Sequence, residues 1–244
     1  MIHKLKTLAN DKKVAILFAC ESGSRAWGFA SPDSDYDVRF VYTHSLEWYL
    51  STVERKDTID VMDGDFDAVG WELRKKLGLL KKSNVPALEH LFSPITYIEE
   101  TSSLKEMRAI AKECFSPIAC MYHYVSMSKK YEEKLTRETV KLKSLFYALR
   151  TALAGKWILE HNTMPPVVFS NMLGLLKNDE IDEIRSLMHI KSEENESYVY
   201  PKNEKVIRLV SSILRTNEKY AKSLSSGKPD TERIDAFLYN TLLK

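Results

Sequence analysis

The sequence predicts an α+β protein: a small mixed sheet with its helices, followed by an all-helical half. Three observations carry that reading. In the first hundred residues, short apolar or alternating runs are interleaved with short helical patterns. Beyond about residue 100 the strand-like runs stop and long helical patterns take over. The composition is that of an ordinary globular chain: 244 residues, 44% hydrophobic and 29% charged, with no repeat or low-complexity segment. The change of character divides the chain into residues 1–100 and 101–244, although nothing between residues 93 and 103 resembles a flexible linker.

Each element follows from local pattern. Residues 3–12 read as a short polar helix. Val14 to Cys20 is a continuous apolar run, which suits a buried strand. Glu21 to Arg25 reads as a turn, and Trp27 to Asp33 as a loop with Ser31-Pro32-Asp33 as its turn chemistry. Residues alternate from Asp35 to Tyr42, predicting a second strand, and Leu46 to Val53 suits a short helix. Thr58–Val61 and Phe66–Val69 flank Asp63-Gly64, a hairpin signal. Leu73, Leu77 and Leu80 give helical spacing over residues 71–82; Asn84-Val85-Pro86 ends it, and Ala87 to Phe92 adds another turn or two. The second half predicts helices over 102–114, 117–132, 136–161, 166–177, 179–191, 200–225 and 230–243, with breaks at Pro165-Pro166 and at Ser225 to Pro229.

Bulk properties exclude several classes. A net charge of +2 is too small to argue for nucleic-acid binding, so any such argument rests on a local patch. Cys20, Cys114 and Cys120 lack zinc-ligand spacing and read as free thiols of a reducing compartment. The run from Val14 to Cys20 is too short for a signal peptide or a bilayer span. The cytoplasm is the expected compartment and no membrane partner is expected; the oligomeric state stays open.

The chemistry concentrates between residues 23 and 39. Asp35 and Asp37 stand two apart, which on a strand puts both carboxylates on one face. Like charges held that close gain from a shared cation, and a hard cation such as Mg²⁺ binds through a few carboxylates plus substrate phosphates. With a third carboxylate, two ions roughly 4 Å apart stabilise an in-line phosphoryl displacement. Gly23 and Ser24, after a buried strand, offer backbone N–H groups and a hydroxyl to a polyphosphate. An Asp-x-Asp pair alone is more often a surface turn; the weight lies in the order of apolar strand, Gly-Ser, spacer and Asp-x-Asp.

This arrangement resembles the DNA polymerase β-type nucleotidyltransferase superfamily. The longer string Gly-Ser-Arg-Ala-Trp-Gly-Phe-Ala-Ser-Pro-Asp-Ser-Asp-Tyr-Asp-Val-Arg, residues 23–39, resembles its bacterial and phage branch associated with RNA repair, the RlaP-type nucleotidyltransferases. Gly70 to Lys75 and Lys141 to Arg150 fit the same branch, so the resemblance spans most of residues 15–170. The resemblance implies a catalytic domain over 1–100 and a helical substrate- and nucleotide-binding domain over 101–244. It also implies a third acidic residue on a later strand, as metal ligand or general base. Asp67 is preferred, because the branch carries an acid three positions before Gly70-Trp71. Asp60 is the alternative, Asp65 shares the parity of Asp67, and solvated turn chemistry competes for Asp60, Asp63 and Asp65.

A second group lies on the long predicted helix. At about 100° per residue, Lys143, Tyr147 and Arg150 line the edge of the apolar stripe of Leu142, Phe146, Leu149, Leu153 and Trp157. Cations there suit phosphates and Tyr suits a base or ribose; ordinary boundary packing is the competing reading, and the family resemblance favours function. Arg25 and Arg39 flank the motif and suit phosphate contact or pairing with an Asp. Arg74 and Lys75 follow the third carboxylate and are candidates to face the triphosphate. Trp27 and Phe29 either close over a base or anchor the loop, and His123 reads as a packing residue.

The resulting expectation is an enzyme that transfers a nucleoside monophosphate from an NTP to a hydroxyl and releases pyrophosphate. Mg²⁺ is the expected ion, with Mn²⁺ as a substitute, held by Asp35, Asp37 and Asp67. Gly23, Ser24, Arg25, Lys75, Lys143, Tyr147 and Arg150 are the nucleotide-binding candidates, and an RNA or DNA 3′ end is the expected acceptor. Two other readings compete: the same chemistry on a protein hydroxyl, and a non-catalytic nucleotide- or RNA-binding module.

Overall fold

Five strands form one mixed sheet: β1 (Ala15–Glu21), β2 (Tyr36–Thr43), β3 (Thr58–Asp63), β4 (Phe66–Glu72) and β5 (Thr96–Glu99), in the order β3-β4-β2-β1-β5. In this computed structural model, which describes residues 1–243, β2 and β4 run parallel and the other neighbours antiparallel. Helix α1 (Ile2–Lys12) buries Leu5 and Leu8 on the face carrying Ala19, Val38, Phe40, Tyr42, Phe66 and Ala68. Burial alternates strictly along β4, as period-two side-chain placement requires. Gly70 is needed there because a Cβ would lie 2.2 Å from the Phe40 ring. Helices α4 (Leu73–Lys81), α5 (Val85–Leu91) and α6 (Thr101–Cys114) also pack on the sheet, with Trp71 of β4 stacked on His90 of α5. The fold is α+β, as the sequence predicts.

Local patterns locate most elements and misplace some ends. The turn expected at Glu21–Arg25 is a short helix, α2 (Gly23–Trp27), and the helix expected over 46–53 shrinks to α3 (Leu46–Tyr49). Trp71 and Glu72 belong to β4 instead of opening α4. Pro86 falls in the first turn of α5 behind the Asn84 cap, where its missing N–H is harmless. The hairpin turn at Gly64 has φ +61°, the conformation glycine accepts without strain.

By internal contacts the chain divides into two units. One holds residues 1–26, 35–115 and those from Gly227 onward, including α11 (Thr231–Leu242); the other holds 27–34 and 116–226. A single cut near residue 100 therefore does not describe the molecule. The first unit keeps α6 and recovers α11 from the C-terminal end, where Arg233 pairs with Glu106 and Glu113.

The second unit is helical but not wholly so. Its centre is α8 (Leu142–His161), packed against α7 (Pro117–Glu132) and α10 (Glu204–Tyr220). Gly155 allows α10 to approach: a Cβ there would meet the Asn217 amide at 2.3 Å, and that amide donates to the Ala152 carbonyl at 2.9 Å. The helix expected over 136–161 starts only at Leu142, because residues 139–141 form β6 (Thr139–Lys141) against β7 (Val199–Pro201). Residues 166–177 make a 3₁₀ stretch over 169–175, followed by α9 (Asn178–Glu193).

Candidate active site

The parallel register of β2 and β4 sets Asp37 directly beside Asp67. One atom bridges them: Arg39 Nη2 donates to Asp37 Oδ1 at 3.1 Å and to Asp67 Oδ2 at 2.9 Å. Arg39 Nη1 adds bonds to the carbonyls of Val38 and Asp67, both at 3.0 Å. The side chains of Asp37, Asp67 and Arg39 are 31%, 22% and 20% exposed, so the two carboxylates converge near the surface on a point already occupied by a cation. Asp60 does not compete for this position. It pairs with Val69 and stands on β3, separated from β2 by β4.

Gly23 closes in from β1. Its φ is +60°, and a Cβ there would lie 2.0 Å from Asp37 Oδ2. The position therefore demands glycine twice, for the left-handed backbone and for the approach. Ser22 N donates to the Asp37 carbonyl at 2.8 Å, and Ser24 is buried one residue beyond Gly23. Asp35 lies one residue before β2; its carbonyl accepts from Arg25 Nε at 3.1 Å, and the Arg25 guanidinium sits 4.1 Å from the centroid of the Tyr36 ring. Among the described residues no three His, Cys, Asp or Glu side chains converge at metal-ligand spacing.

Glu21 is a site residue that sequence reasoning missed. It is fully buried, and its carboxylate accepts from the Asp37 backbone N–H at 2.8 Å and from the Tyr97 hydroxyl at 2.5 Å. Burial pushes its carboxyl above the usual range, and the two hydrogen bonds oppose that shift. The signal available was a lone acid closing an apolar run, which turn chemistry explained as readily.

The other candidates fall elsewhere. Lys75 is not brought to the carboxylates. It pairs with Asp57 at 2.7 Å and with Thr58 Oγ1 at 2.8 Å, beyond the far end of β4 from Asp67. Arg74 lies beside it, over the rings of Trp48 and Tyr49.

Lys143, Tyr147 and Arg150 belong to the second unit. Of the three, Arg150 does not stay on the edge of an apolar stripe: it is only 3% exposed on a helix buried on most sides, whereas Lys143 and Tyr147 are half-buried. The Arg150 guanidinium lies 4.2 Å from the Trp27 ring centroid, and Nη2 donates to the Val167 carbonyl at 3.4 Å. Tyr147 packs against Trp27, Phe29 and Tyr131, and Lys143 pairs with Glu196.

The loop Trp27–Ser34, between Gly23-Ser24 and Asp35, is built into this second unit. Phe29 stacks on Phe146 and meets Phe169 edge-on. Lys191, buried, donates to Ser31 Oγ at 2.8 Å; Ser34 Oγ donates to Glu196 at 2.8 Å; and Glu196 N donates to Asp33 at 2.8 Å. Lys191 and Glu196 come from the C-terminal stretch in which the sequence offers no motif, so no local signal announced them.

The uncharacterized protein YcgL of Bacillus subtilis (strain 168) is 38% identical over 247 residues, covering 99% of this chain and 95% of its own. Among solved structures, a nucleotidyltransferase-like protein from Exiguobacterium sibiricum 255-15 is similar at a TM-score of 0.34 and 10% identity, over 99% of this chain and 79% of that one. The family model described as the RNA repair pathway DNA polymerase beta family matches residues 1–240, and the chain belongs to that family, RlaP.

Proposed function

We propose that the protein transfers a nucleoside monophosphate from an NTP to the 3′ hydroxyl of a nucleic-acid strand, releasing pyrophosphate. The observation that carries this reading is the convergence of Asp37 and Asp67 on one cation, with Gly23 pressed against Asp37. Two carboxylates on adjacent strands form a donor set that suits Mg²⁺, which commonly binds through one or two carboxylates and completes its shell with phosphate oxygens. Asp37 and Asp67 would hold the ion. When bound, Mg²⁺ supplies charge neutralisation on the transferring phosphoryl group.

The chain's own residues set the rest. Glu21 fixes the Asp37 backbone through its N–H. Arg39 keeps the two carboxylates together in the absence of substrate. Gly23 and Ser24 offer the phosphates a close backbone and a hydroxyl. Asp67 would also take the proton of the attacking hydroxyl, a role that requires it within hydrogen-bond reach of that hydroxyl.

The test is incubation of the full chain with each NTP, Mg²⁺ and either single-stranded RNA or cell-lysate protein, following pyrophosphate release and the fraction that takes up label. Label in RNA is expected. The double substitution Asp37→Asn with Asp67→Asn is expected to remove it, by at least about 10²-fold, while thermal melting still reports a folded protein. Undiminished incorporation by a folded double variant overturns the mechanism, and label in protein alone overturns the acceptor.

A further inference from the structure

A cavity lies in the first unit, at the end of the sheet remote from Asp37 and Asp67. It measures about 460 Å³ and is framed by residues 48–57 and the start of α4. Glu72 at its edge is five positions beyond Asp67 on β4, roughly 17 Å at about 3.3 Å per residue. The two places are therefore distinct.

Its chemistry follows from what is already paired. Trp48 is stacked on His44, with ring centroids 4.3 Å apart and planes 11° apart, which sets its orientation. Tyr49 meets Trp48 edge-on at 5.0 Å and donates its hydroxyl to Glu72. Glu72 is buried and also accepts from the Arg74 and Lys75 amides at 2.9 and 3.2 Å, so its charge is engaged by the fold and the start of α4 is already capped. Lys75 is engaged by Asp57. The remaining cations of the lining are Arg55 and Arg74, both exposed, beside the exposed Glu54; the lining as a whole carries no net charge. Arg74 lies 5.9 Å from the Trp48 centroid and 5.6 Å from that of Tyr49, and Arg55 Nη2 donates to Ser51 Oγ at 3.4 Å.

Oriented aromatic rings flanked by guanidinium groups hold a nucleobase by stacking and its phosphate by charge-assisted hydrogen bonds. A simple anion would leave the aromatic pair unused, and an apolar ligand would desolvate two arginines without replacing their hydrogen bonds. We infer that this cavity binds a nucleoside phosphate, either a free nucleotide or one unit of a single strand. The inference goes beyond the proposed transfer reaction and does not depend on it, because binding is read without turnover.

The experiment titrates the full chain with AMP and with 5′-labelled hexaadenylate RNA, in EDTA, following tryptophan fluorescence and anisotropy. Binding of the hexamer with AMP silent identifies a strand as the source; binding of AMP by itself identifies a free nucleotide. In either case Trp48→Leu and the pair Arg55→Gln with Arg74→Gln are each expected to weaken the binding probe by about tenfold to a hundredfold, while Trp48→Phe retains most of the affinity. For the strand, the arginine pair also lowers the slope of log affinity on log salt by about one to two. Absence of binding by the parent protein overturns the inference, and so does a loss confined to only one of the two variant classes. Both arginines are exposed, so if Trp48→Leu fails to fold, unchanged binding by the arginine double variant overturns the inference alone.

Discussion

At the scale of single residues, Arg39 and Gly23 make the carboxylate pair possible. Arg39→Gln leaves two part-buried carboxylates facing each other, and is expected to lower stability by about 1–3 kcal/mol at neutral pH. Added Mg²⁺ should then raise the melting temperature of this variant more than that of the parent, because a cation position has been vacated. Thermal melting across a Mg²⁺ titration checks this, and an Mg²⁺-insensitive variant contradicts the shared-cation reading. Gly23→Ala must adopt a left-handed backbone, at about 1–2 kcal/mol, and displace the Asp37 carboxylate as well. It should lose both stability and nucleotidyl transfer, read by urea unfolding and label incorporation. Lys76 gives a third test. It is fully buried, bonded to the Ala87 carbonyl at 2.7 Å, and burial lowers its pKa to about 7. The unfolded chain keeps this proton up to its ordinary value of 10.5. Between pH 7 and that value the unfolded state binds more protons, so stability rises with pH across this window. Below pH 7 both states carry the charge and the desolvation penalty is complete. Lys76→Met should flatten that rise and stabilise the protein at pH 6 by about 1–4 kcal/mol, as urea unfolding at pH 6, 8 and 10 would show.

At the scale of elements, periodicity located most of the fold, because burial on one face leaves a direct trace in sequence. The run from Val14 to Cys20, the alternation from Asp35 to Tyr42 and the hairpin at Gly64 all correspond to strands. The parallel register of β2 and β4 sets Asp67 beside Asp37, and no local pattern encodes that register. Other features escaped because their cause is tertiary. The stripe on α8 looked one-sided, yet α7 and α10 cover further faces of that helix and Arg150 ends up inside. The ribbon of β6 and β7 joins residues roughly sixty positions apart, each strand only three residues long, too short for a two-residue period to show. Likewise α11 gave a clear helical pattern but no indication that it belongs to the first unit. Removing residues from Gly227 onward should therefore lower the melting temperature of that unit more than Arg233→Ala does. The ion pairs of Arg233 lie at the surface, where screening leaves them little to contribute, whereas deletion also removes the buried Ile234.

At the scale of the whole molecule, the two units share one chain in an interleaved order. Four crossings, after residues 26, 34, 115 and 226, connect them. Phe29, 4% exposed among Phe146 and Phe169, belongs to the core of the second unit although it lies between the two halves of the site motif. Phe29→Ala should cost about 3–5 kcal/mol, a loss that denaturant unfolding would read directly. An isolated fragment of residues 116–226 lacks this ring altogether, and should bind a hydrophobic dye and melt without cooperativity.

The spacer from Trp27 to Ser34 carries one consequence for how such a chain tolerates change. Loops of this length usually accept added or lost residues, because their backbone is solvated and their ends are unconstrained. This one is anchored along its length, by Phe29 among rings, by Ser31 on Lys191 and by Ser34 on Glu196. Its two ends lead into Ala26 and Asp35, both of the other unit. A single inserted glycine would shift every anchor after it by one position, whereas the same insertion beside Gly64, where a Cβ would meet no atom within 4 Å, would lengthen only an open turn. The number of residues between Gly23 and Asp35 is thus constrained by the anchors of the spacer within the second unit.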